Sequence, residues 1–250
     1  MNTQNILGVS FFQGSLESVR NSFRKGGLLV APSGPCMAKD LIETKDYAES
    51  ILEADYVLLD SGLIALWSKF FMKISLSRIS GLEFLNDFLE KTDWREENSV
   101  WIMPDKIQSE RMIKWLNKKY AVSIDDSHVY IAPIYADNGK IEDDALVEFI
   151  KKAKPDNVFI QLGGGVQERL GRMIKSKLPS SCSILCTGAA LAFLSGVQVE
   201  IPNWADRFYL GWLFRCFAKP KVFIPRYIRA LKLFYLIWRY EENPPKYLHQ

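Results

Sequence analysis

Short apolar runs alternate with longer segments of mixed polarity along most of the chain. The segments between the runs carry apolar residues at helical spacing, and in residues 106–118 Met112, Ile113 and Leu116 share one face. Six runs are predicted to be strands, at residues 28–31, 56–59, 100–103, 129–132, 158–162 and 183–186. Strands and helices in alternation predict an α/β fold, with a Rossmann-like, mostly parallel sheet covered by helices on both faces.

The pattern changes near residue 205. From Arg207 to Tyr240 there are eight Lys or Arg and eleven aromatic residues, but no Asp or Glu. A helical wheel places one set of apolar residues on a single face: Ile224, Tyr227, Leu231, Phe234, Tyr235 and Trp238. We therefore predict a Rossmann-like domain at residues 1–205 and a basic, aromatic-rich helical appendage at residues 206–250.

Two interpretations of the appendage are open. It could be an ordinary amphipathic segment packed on the domain, for which its aromatic residues would suffice. Basic residues beside Trp, Tyr and Phe, without acids, are instead typical of a helix that lies on an anionic membrane surface. The pattern favours membrane contact.

Composition narrows the class of protein. The chain has 250 residues, of which 48% are hydrophobic and 24% charged, so a normal globular core is expected. A net charge of +3 gives no indication of a nucleic-acid partner. The four cysteines form no CxxC pair and only two histidines accompany them, which argues against a metal site.

Two further absences bear on localisation. The first twelve residues lack the pattern of a secretory signal. Uninterrupted apolar segments also stay shorter than the ~18 residues of a membrane span. We expect a cytoplasmic protein, and a homo-oligomer is compatible with these features.

Asp60 stands at the end of a buried strand, directly after the apolar run at residues 56–59 and before Ser61 and Gly62. Burial makes a charge costly, so this position needs an explanation. Asp60 could be the N-cap of the next helix or a catalytic base. Ligands of parallel α/β sheets bind at the carboxyl ends of the strands, which is where Asp60 lies.

Two glycine-containing turns follow other strands. Gly163, Gly164 and Gly165 precede Gln167 and Glu168 at the start of a predicted helix, a pattern that could hold phosphate or form a tight turn. The spacing is not GxGxxG, which argues against a dinucleotide site. Glu168 could instead complement the helix dipole.

The turn at Pro32, Ser33 and Gly34 and the residue Arg78 also have two interpretations each. Ser33 could cap a helix or contact a ligand. Arg78 could be a solvated surface residue or pair with a diphosphate.

Five blocks along the chain resemble the WecG/TagA/CpsF family of bacterial glycosyltransferases. They occur in the family's order and cover nearly the whole chain. They are "ADYVLLDSGLIALWSK", "RISGLEFL", "KPDNVFIQLGGGVQERL", "TGAALAFLSG" and "IPNWADRFYLGWLFRCFAKPKVFIPRY".

The resemblance implies an inverting, metal-independent transfer from a UDP-sugar, typically of N-acetylmannosamine type, without a further cofactor. The implied acceptor is a polyprenyl-diphosphate-linked sugar at the inner face of the cell membrane. Asp60 matches the family's proposed general base, in the domain that we expect to be catalytic. Donor contacts are expected from Pro32, Ser33, Arg78, Gly163, Gly164, Gly165, Gln167 and Glu168. Lipid-diphosphate contacts are expected from Arg207, Arg215, Arg226 and Arg229.

Departures from the family pattern indicate a divergent member. The family's Thr-Pro-Asn turn is Ala31-Pro32-Ser33 here, and the glycine loop lacks its proline. The acid of the family's F-D-F block is replaced by Ala192 and that of its G-L-E-W block by Gly211. A non-catalytic nucleotide-binding or scaffolding module of a membrane polysaccharide assembly complex is the competing hypothesis, and a nicotinamide-dependent oxidoreductase lacks its fingerprint.

Overall fold

Eight strands form one sheet in the computed structural model, which describes residues 2–198, 205 and 210–246. The spatial order is β1-β2-β4-β3-β8-β7-β5-β6. Only the pair β1–β2 is antiparallel, and the other neighbours pair in parallel. The strands are β1 (Thr3–Ile6), β2 (Val9–Phe12), β3 (Gly27–Val30), β4 (Tyr56–Val57), β5 (Ser99–Met103), β6 (Val129–Ile131), β7 (Asn157–Ile160) and β8 (Ser183–Cys186).

Helices connect the parallel strands and cover the sheet. Those of the Rossmann-like part are α1 (Leu16–Phe23), α2 (Gly34–Glu43), α3 (Lys45–Leu52), α4 (Gly62–Phe70), α5 (Gly81–Lys91), α6 (Lys106–Tyr120), α7 (Asp144–Ala153), α8 (Val166–Lys175) and α9 (Ala190–Leu194). Three more follow in the appendage, α10 (Gly211–Ala218), α11 (Pro220–Ala230) and α12 (Lys232–Tyr240). The predicted fold class is confirmed.

Successive residues of the central strands face opposite sides of the sheet, as the strand period of two requires. In β3, Leu28 and Val30 join one buried cluster and Leu29 joins the other. Helices α2, α3, α7 and α8 contribute to the first cluster, and α1, α5, α6 and α9 contribute to the second. Burial on both faces explains why these strands are continuous apolar runs in the sequence.

The N-terminal hairpin β1–β2 is absent from the sequence prediction. Ile6 is the only apolar residue of β1, so the strand carries no hydrophobic pattern. The turn residues Leu7 and Gly8 both have positive φ, the conformation of a tight hairpin turn. Their amide groups donate to the carbonyl oxygens of Glu241 and Glu242, at 2.7 and 2.9 Å, so the end of the chain holds this turn in place.

The appendage helices have one face in the core and one in solvent. Ala230, Leu233, Leu236 and Ile237 are buried in the same cluster as the strands and α2. The apolar face given by the helical wheel lies mostly outside this contact, since Ile224, Leu231, Tyr235 and Trp238 are exposed. Packing on the domain and exposure of aromatic residues therefore coexist. The boundary at residue 205 stays a prediction.

In the ranges that the structure describes, every helix is too short or too polar to cross a membrane.

Leu233 and Leu231 offer a matched test of this packing. Leu233→Ala removes a fully buried side chain and is expected to lower the free energy of unfolding by about 2–5 kcal/mol. Leu231→Ala, at a half-exposed position two residues away, is expected to cost less than about 1 kcal/mol. Urea unfolding followed by circular dichroism measures both. Equal losses in the two variants would contradict the described packing of α12.

Candidate active site

A cavity of about 610 Å³ lies between the carboxyl ends of β3 and β4 and the appendage helices. Ligands of parallel sheets bind at this edge. The wall on the sheet side includes Ser33 after β3 and Asp60 after β4. The polar side chains among the lining residues are Ser33, Asp60, Ser61, Arg78, Arg215 and Tyr227.

Asp60 is positioned by a tight turn and by a neighbouring helix. Its amide group donates to the carbonyl oxygen of Leu58 at 3.1 Å, so the chain leaves the sheet just before the carboxylate. Its Oδ1 accepts a hydrogen bond of 3.0 Å from the amide group of Gly81, the first residue of α5. Arg78 Nε donates to the Asp60 carbonyl oxygen at 3.1 Å.

The N-cap of α4 is Ser61, whose Oγ accepts from the amide group of Ile64 at 3.4 Å. The interpretation of Asp60 as the cap of the helix that follows it is therefore wrong. Its carboxylate instead lies at the N-terminus of α5, where the helix dipole favours a negative charge. This arrangement keeps a charged side chain at the wall of a cavity that is otherwise largely apolar.

Ser33 occupies the N-cap position of α2 but its side chain makes no capping hydrogen bond. Its hydroxyl group interacts with the thiol of Cys36, whose pKa burial raises to about 12. Pro32, just before it, is buried. Gly164 lies close by, because a Cβ there would stand 3.9 Å from Ser33 Oγ and 2.7 Å from Cys36 Sγ. Only glycine permits this approach of the loop to α2.

Arg215 and Tyr227 form the appendage side of the cavity. The Arg215 guanidinium lies 4.7 Å from the ring centroid of Phe193, and its side chain is hydrogen-bonded to Tyr227. Burial raises the pKa of Tyr227, so the phenol keeps its proton. Arg215 Nε is buried, and no atom of the described ranges accepts its hydrogen bond. A buried donor in this condition is suited to an anionic ligand.

The other predicted arginines of the appendage lie elsewhere. Arg226 is not among the lining residues, but it lies close enough to Cys36 to act electrostatically on its thiol. This places Arg226 near the start of α2. Arg229 is exposed and donates to the carbonyl oxygen of Pro225 at 3.2 Å. Arg207 lies outside the described residues.

The glycine loop stands apart from the cavity lining. Gly163 and Gly164 are exposed, and the space beside Gly163 is open. Gln167 and Glu168 are buried beneath the loop. The role of these residues in donor binding stays a prediction.

Gln167 and Glu168 join two loops by hydrogen bonds. Glu168 accepts from the amide group of Gly165 at 2.6 Å and from Gln167 Nε2 at 2.9 Å. Gln167 Oε1 accepts from the amide group of Gly188, after β8, at 2.7 Å. The pair therefore fixes the glycine loop relative to the turn that follows the neighbouring strand.

Arg169 is a further buried polar residue that the sequence analysis missed. It donates to the carbonyl oxygens of Gly165 at 3.0 Å and of Gly139 and Ala136 at 2.7 Å each. It thereby connects the glycine loop to the segment after β6. Nothing in the sequence indicates this role, because its partners are main-chain carbonyl groups at distant positions.

A carboxylate and two arginines around a cavity at the carboxyl ends of a parallel sheet are typical of enzymes that bind phosphate-bearing substrates. The glycosyl transferase WecG/TagA/CpsF family model matches residues 4–246, and the chain belongs to this family. The resemblance identified in the sequence is confirmed.

Three curated relatives share one enzyme name, N-acetylglucosaminyldiphosphoundecaprenol N-acetyl-beta-D-mannosaminyltransferase. The relative from Bacillus subtilis (strain 168) is 25% identical over 227 residues, which cover 88% of this chain and 85% of the relative. That from Bacillus spizizenii is 24% identical over 225 residues, with coverages of 88% and 84%. That from Staphylococcus aureus (strain NCTC 8325) is 22% identical over 218 residues, with coverages of 84% and 82%.

Burial raises the pKa of Glu168 from 4.5 to about 7. Between pH 4.5 and about pH 7, the Glu168 carboxyl group is therefore mostly protonated in the folded state and mostly ionised in the unfolded chain. The resulting contribution to stability is present below pH 4.5 and is lost as the pH rises to about 7. We expect Glu168 to lower the free energy of unfolding over this window by on the order of 3 kcal/mol.

Urea unfolding of the wild type and of Glu168→Gln, from pH 4.5 to pH 8, measures this effect. The glutamine side chain cannot ionise, so the part of the pH-dependent loss of stability that Glu168 causes should be absent from this variant, even if its overall stability is lower. The difference between the two curves removes the contribution of other titrating groups. If the free energy of unfolding of the two proteins changed with pH in parallel, the raised pKa of Glu168 would be contradicted.

Proposed function

We propose that this glycosyltransferase moves an N-acetylmannosamine-type sugar, or a related hexose, from a UDP-sugar to a polyprenyl-diphosphate-linked acceptor sugar. Family membership and the enzyme name of the relatives support the sugar and the lipid-linked acceptor. The observation that carries the proposal is the cavity, which combines the Asp60 carboxylate with Arg215 of the basic appendage. The reaction would belong to the biosynthesis of a bacterial cell-surface polysaccharide or exopolysaccharide.

Asp60 is the proposed catalytic base. Its carboxylate accepts the proton of the acceptor hydroxyl group as the hydroxyl oxygen bonds to the anomeric carbon of the donor. The bond between that carbon and the diphosphate oxygen breaks, and UDP leaves with the electron pair. A single displacement of this kind inverts the anomeric configuration.

The negative charge of the leaving UDP needs compensation. The start of α2, the open glycine loop and Arg226 lie together and offer amide groups and a cation. Ser33 touches both this region and the cavity, so it is suited to the boundary between diphosphate and sugar. Gln167 and Glu168 act here by holding the loop in shape.

The lipid diphosphate of the acceptor is assigned to Arg215, with Arg207 and Arg229 as further predicted contacts. Arg226, which was also predicted for the lipid diphosphate, is proposed to face UDP instead because it lies near the start of α2. Arg215 Nε has no acceptor within the part of the chain that the structure describes, and this absence and the position of Arg215 in the cavity support the assignment. Arg78 also lines the cavity and can interact with either diphosphate. The reaction is proposed to need no metal, as the resemblance implies, and chelation with EDTA should leave turnover unchanged.

The appendage is proposed to hold the enzyme against the cytoplasmic face of the cell membrane. Its exposed face combines Trp212, Phe217, Tyr235 and Trp238 with basic residues. Aromatic and basic residues together favour the interface of an anionic bilayer. A lipid-linked acceptor would then be found by a search within the membrane plane.

Asp60→Asn tests the proposed base. Asparagine keeps an oxygen that can accept from the Gly81 amide group but loses basicity, so kcat should fall by about 10²–10⁴-fold while the melting temperature stays unchanged. UDP release with a panel of UDP-sugars and an undecaprenyl-diphosphate-linked N-acetylglucosamine measures the effect. Glu90→Gln, an exposed carboxylate on α5, serves as control and should retain activity.

Full activity of Asp60→Asn would rule out Asp60 as the base. A wild-type protein that binds UDP-sugars without releasing UDP in the presence of any lipid-linked acceptor would favour the non-catalytic scaffolding alternative.

Arg215→Gln tests the contact with the acceptor. Loss of one charge-assisted hydrogen bond to the lipid diphosphate should raise the KM for the lipid-linked acceptor about 10–100-fold, with a smaller change for the donor. Steady-state kinetics with each substrate varied in turn separates the two values. Arg95→Gln, an exposed arginine before β5, should leave both values unchanged. An increase confined to the donor KM would assign Arg215 to the donor instead.

A further inference from the structure

A second basic and aromatic surface lies at the end of α4, outside the appendage. Phe70 and Phe71 are exposed by 68% and 69%. Lys69 and Lys73, which flank them in the sequence "KFFMK", are also exposed. Residues 61–82 contain no Asp or Glu, a property that they share with residues 207–240 of the appendage. We call Leu66, Lys69, Phe70, Phe71 and Lys73 the α4 tip.

The α4 tip is joined to the appendage by stacked rings. Trp67 stacks on Phe71 with centroids 4.2 Å apart and on Phe234 of α12 with centroids 4.8 Å apart. Trp238 and Tyr235, further along α12, are exposed. The two surfaces are therefore fixed to each other through Trp67 rather than through a flexible connection.

The same two surfaces border the cavity. Leu66 lines it from the α4 side, and Phe217, Ile228 and Leu231 line it from the appendage side. All four side chains are also exposed, so each lies where the cavity lining meets solvent. These four side chains are apolar, whereas Asp60 and Arg215 supply polar groups to the same lining.

We propose that the α4 tip is a second membrane-binding element, and that the lipid-linked acceptor enters the cavity sideways from the bilayer between the α4 tip and the appendage. This inference rests on the proposed function for the identity of the acceptor. An anionic bilayer is the occupant because both segments combine exposed aromatic rings with lysine or arginine, and residues 61–82 and 207–240 contain no Asp or Glu. Acids near the appendage side are Glu43, whose Oε1 lies 4.0 Å from Lys232 Nζ, and the exposed Glu241 and Glu242, which directly follow α12.

Vesicle binding of the full-length chain tests the proposal. The probes are vesicles of phosphatidylcholine with phosphatidylglycerol, and of phosphatidylcholine alone. Phe70→Ser should weaken binding to the anionic vesicles roughly tenfold, since it removes one large apolar side chain from the interface. Ile107→Ser, at a residue of α6 that is also 68% exposed, should bind like the wild type. Trp238→Ser measures the contribution of the appendage to vesicle binding.

Two further measurements complete the test. Lys69→Gln combined with Lys73→Gln should weaken binding to anionic vesicles and reduce its salt dependence, which keeps the test available if Phe70→Ser fails to fold. Turnover is compared between an acceptor embedded in vesicles and a short-chain acceptor in solution. The ratio of the two rates should fall in Phe70→Ser.

Each outcome has a distinct meaning. Wild-type affinity of Phe70→Ser overturns the role of the α4 tip, even if Trp238→Ser binds weakly. Equal losses in Phe70→Ser and Ile107→Ser, or no vesicle binding by the wild type, also overturn it. Failure of the proposed function has another signature, which is no UDP release by the wild type with the short-chain acceptor.

Discussion

The hydrogen bond between the Asp60 carboxylate and the Gly81 amide group is the constraint on which the site depends. A charge at the end of a buried strand is costly unless its surroundings stabilise it. The N-terminus of α5 does so here, and this requires α5 to begin next to the end of β4. The same turn brings Arg78 against the Asp60 carbonyl group. These two hydrogen bonds thus hold the proposed base and an arginine in place at one wall of the cavity.

The appendage forms the other wall of that cavity, and it is held there because part of it is buried in the hydrophobic core. Leu233, Leu236 and Ile237 are buried with the strands, while Trp238 and Tyr235 are exposed. Removing the chain after residue 205 would therefore disturb the packing of the whole protein together with any membrane contact. Single exposed residues are the appropriate probes of membrane binding for this reason.

Much of the fold could be predicted because the central strands are buried on both faces. The runs at residues 100–103 and 183–186 correspond to β5 and β8 within one residue at each end. β4 ends at Val57, two residues before the predicted end, because the chain turns towards Asp60 there. β1 could not be predicted from the sequence, since its position is set by the partner strand β2 and by the distant Glu241.

The candidate site was only partly predictable. Sequence position could place Asp60 and Ser33 at strand ends, and the cavity includes both. It could not show that Glu168 turns inward, since the pattern of a helix start is the same for a buried and an exposed carboxylate. The contacts of Arg169 could not be predicted for a related reason, because they are made to main-chain carbonyl groups 30 and 33 residues earlier in the chain, those of Gly139 and Ala136.

A structure of the protein with a UDP-sugar analogue and a short-chain lipid-linked acceptor would show whether Asp60 is the base. If it is, an acceptor hydroxyl group should lie within about 2.6–3.2 Å of an Asp60 carboxylate oxygen. The anomeric carbon should lie beyond that hydroxyl group, with the diphosphate on its far side. An acceptor hydroxyl group bound away from Asp60, with the anomeric carbon outside the cavity, would contradict it.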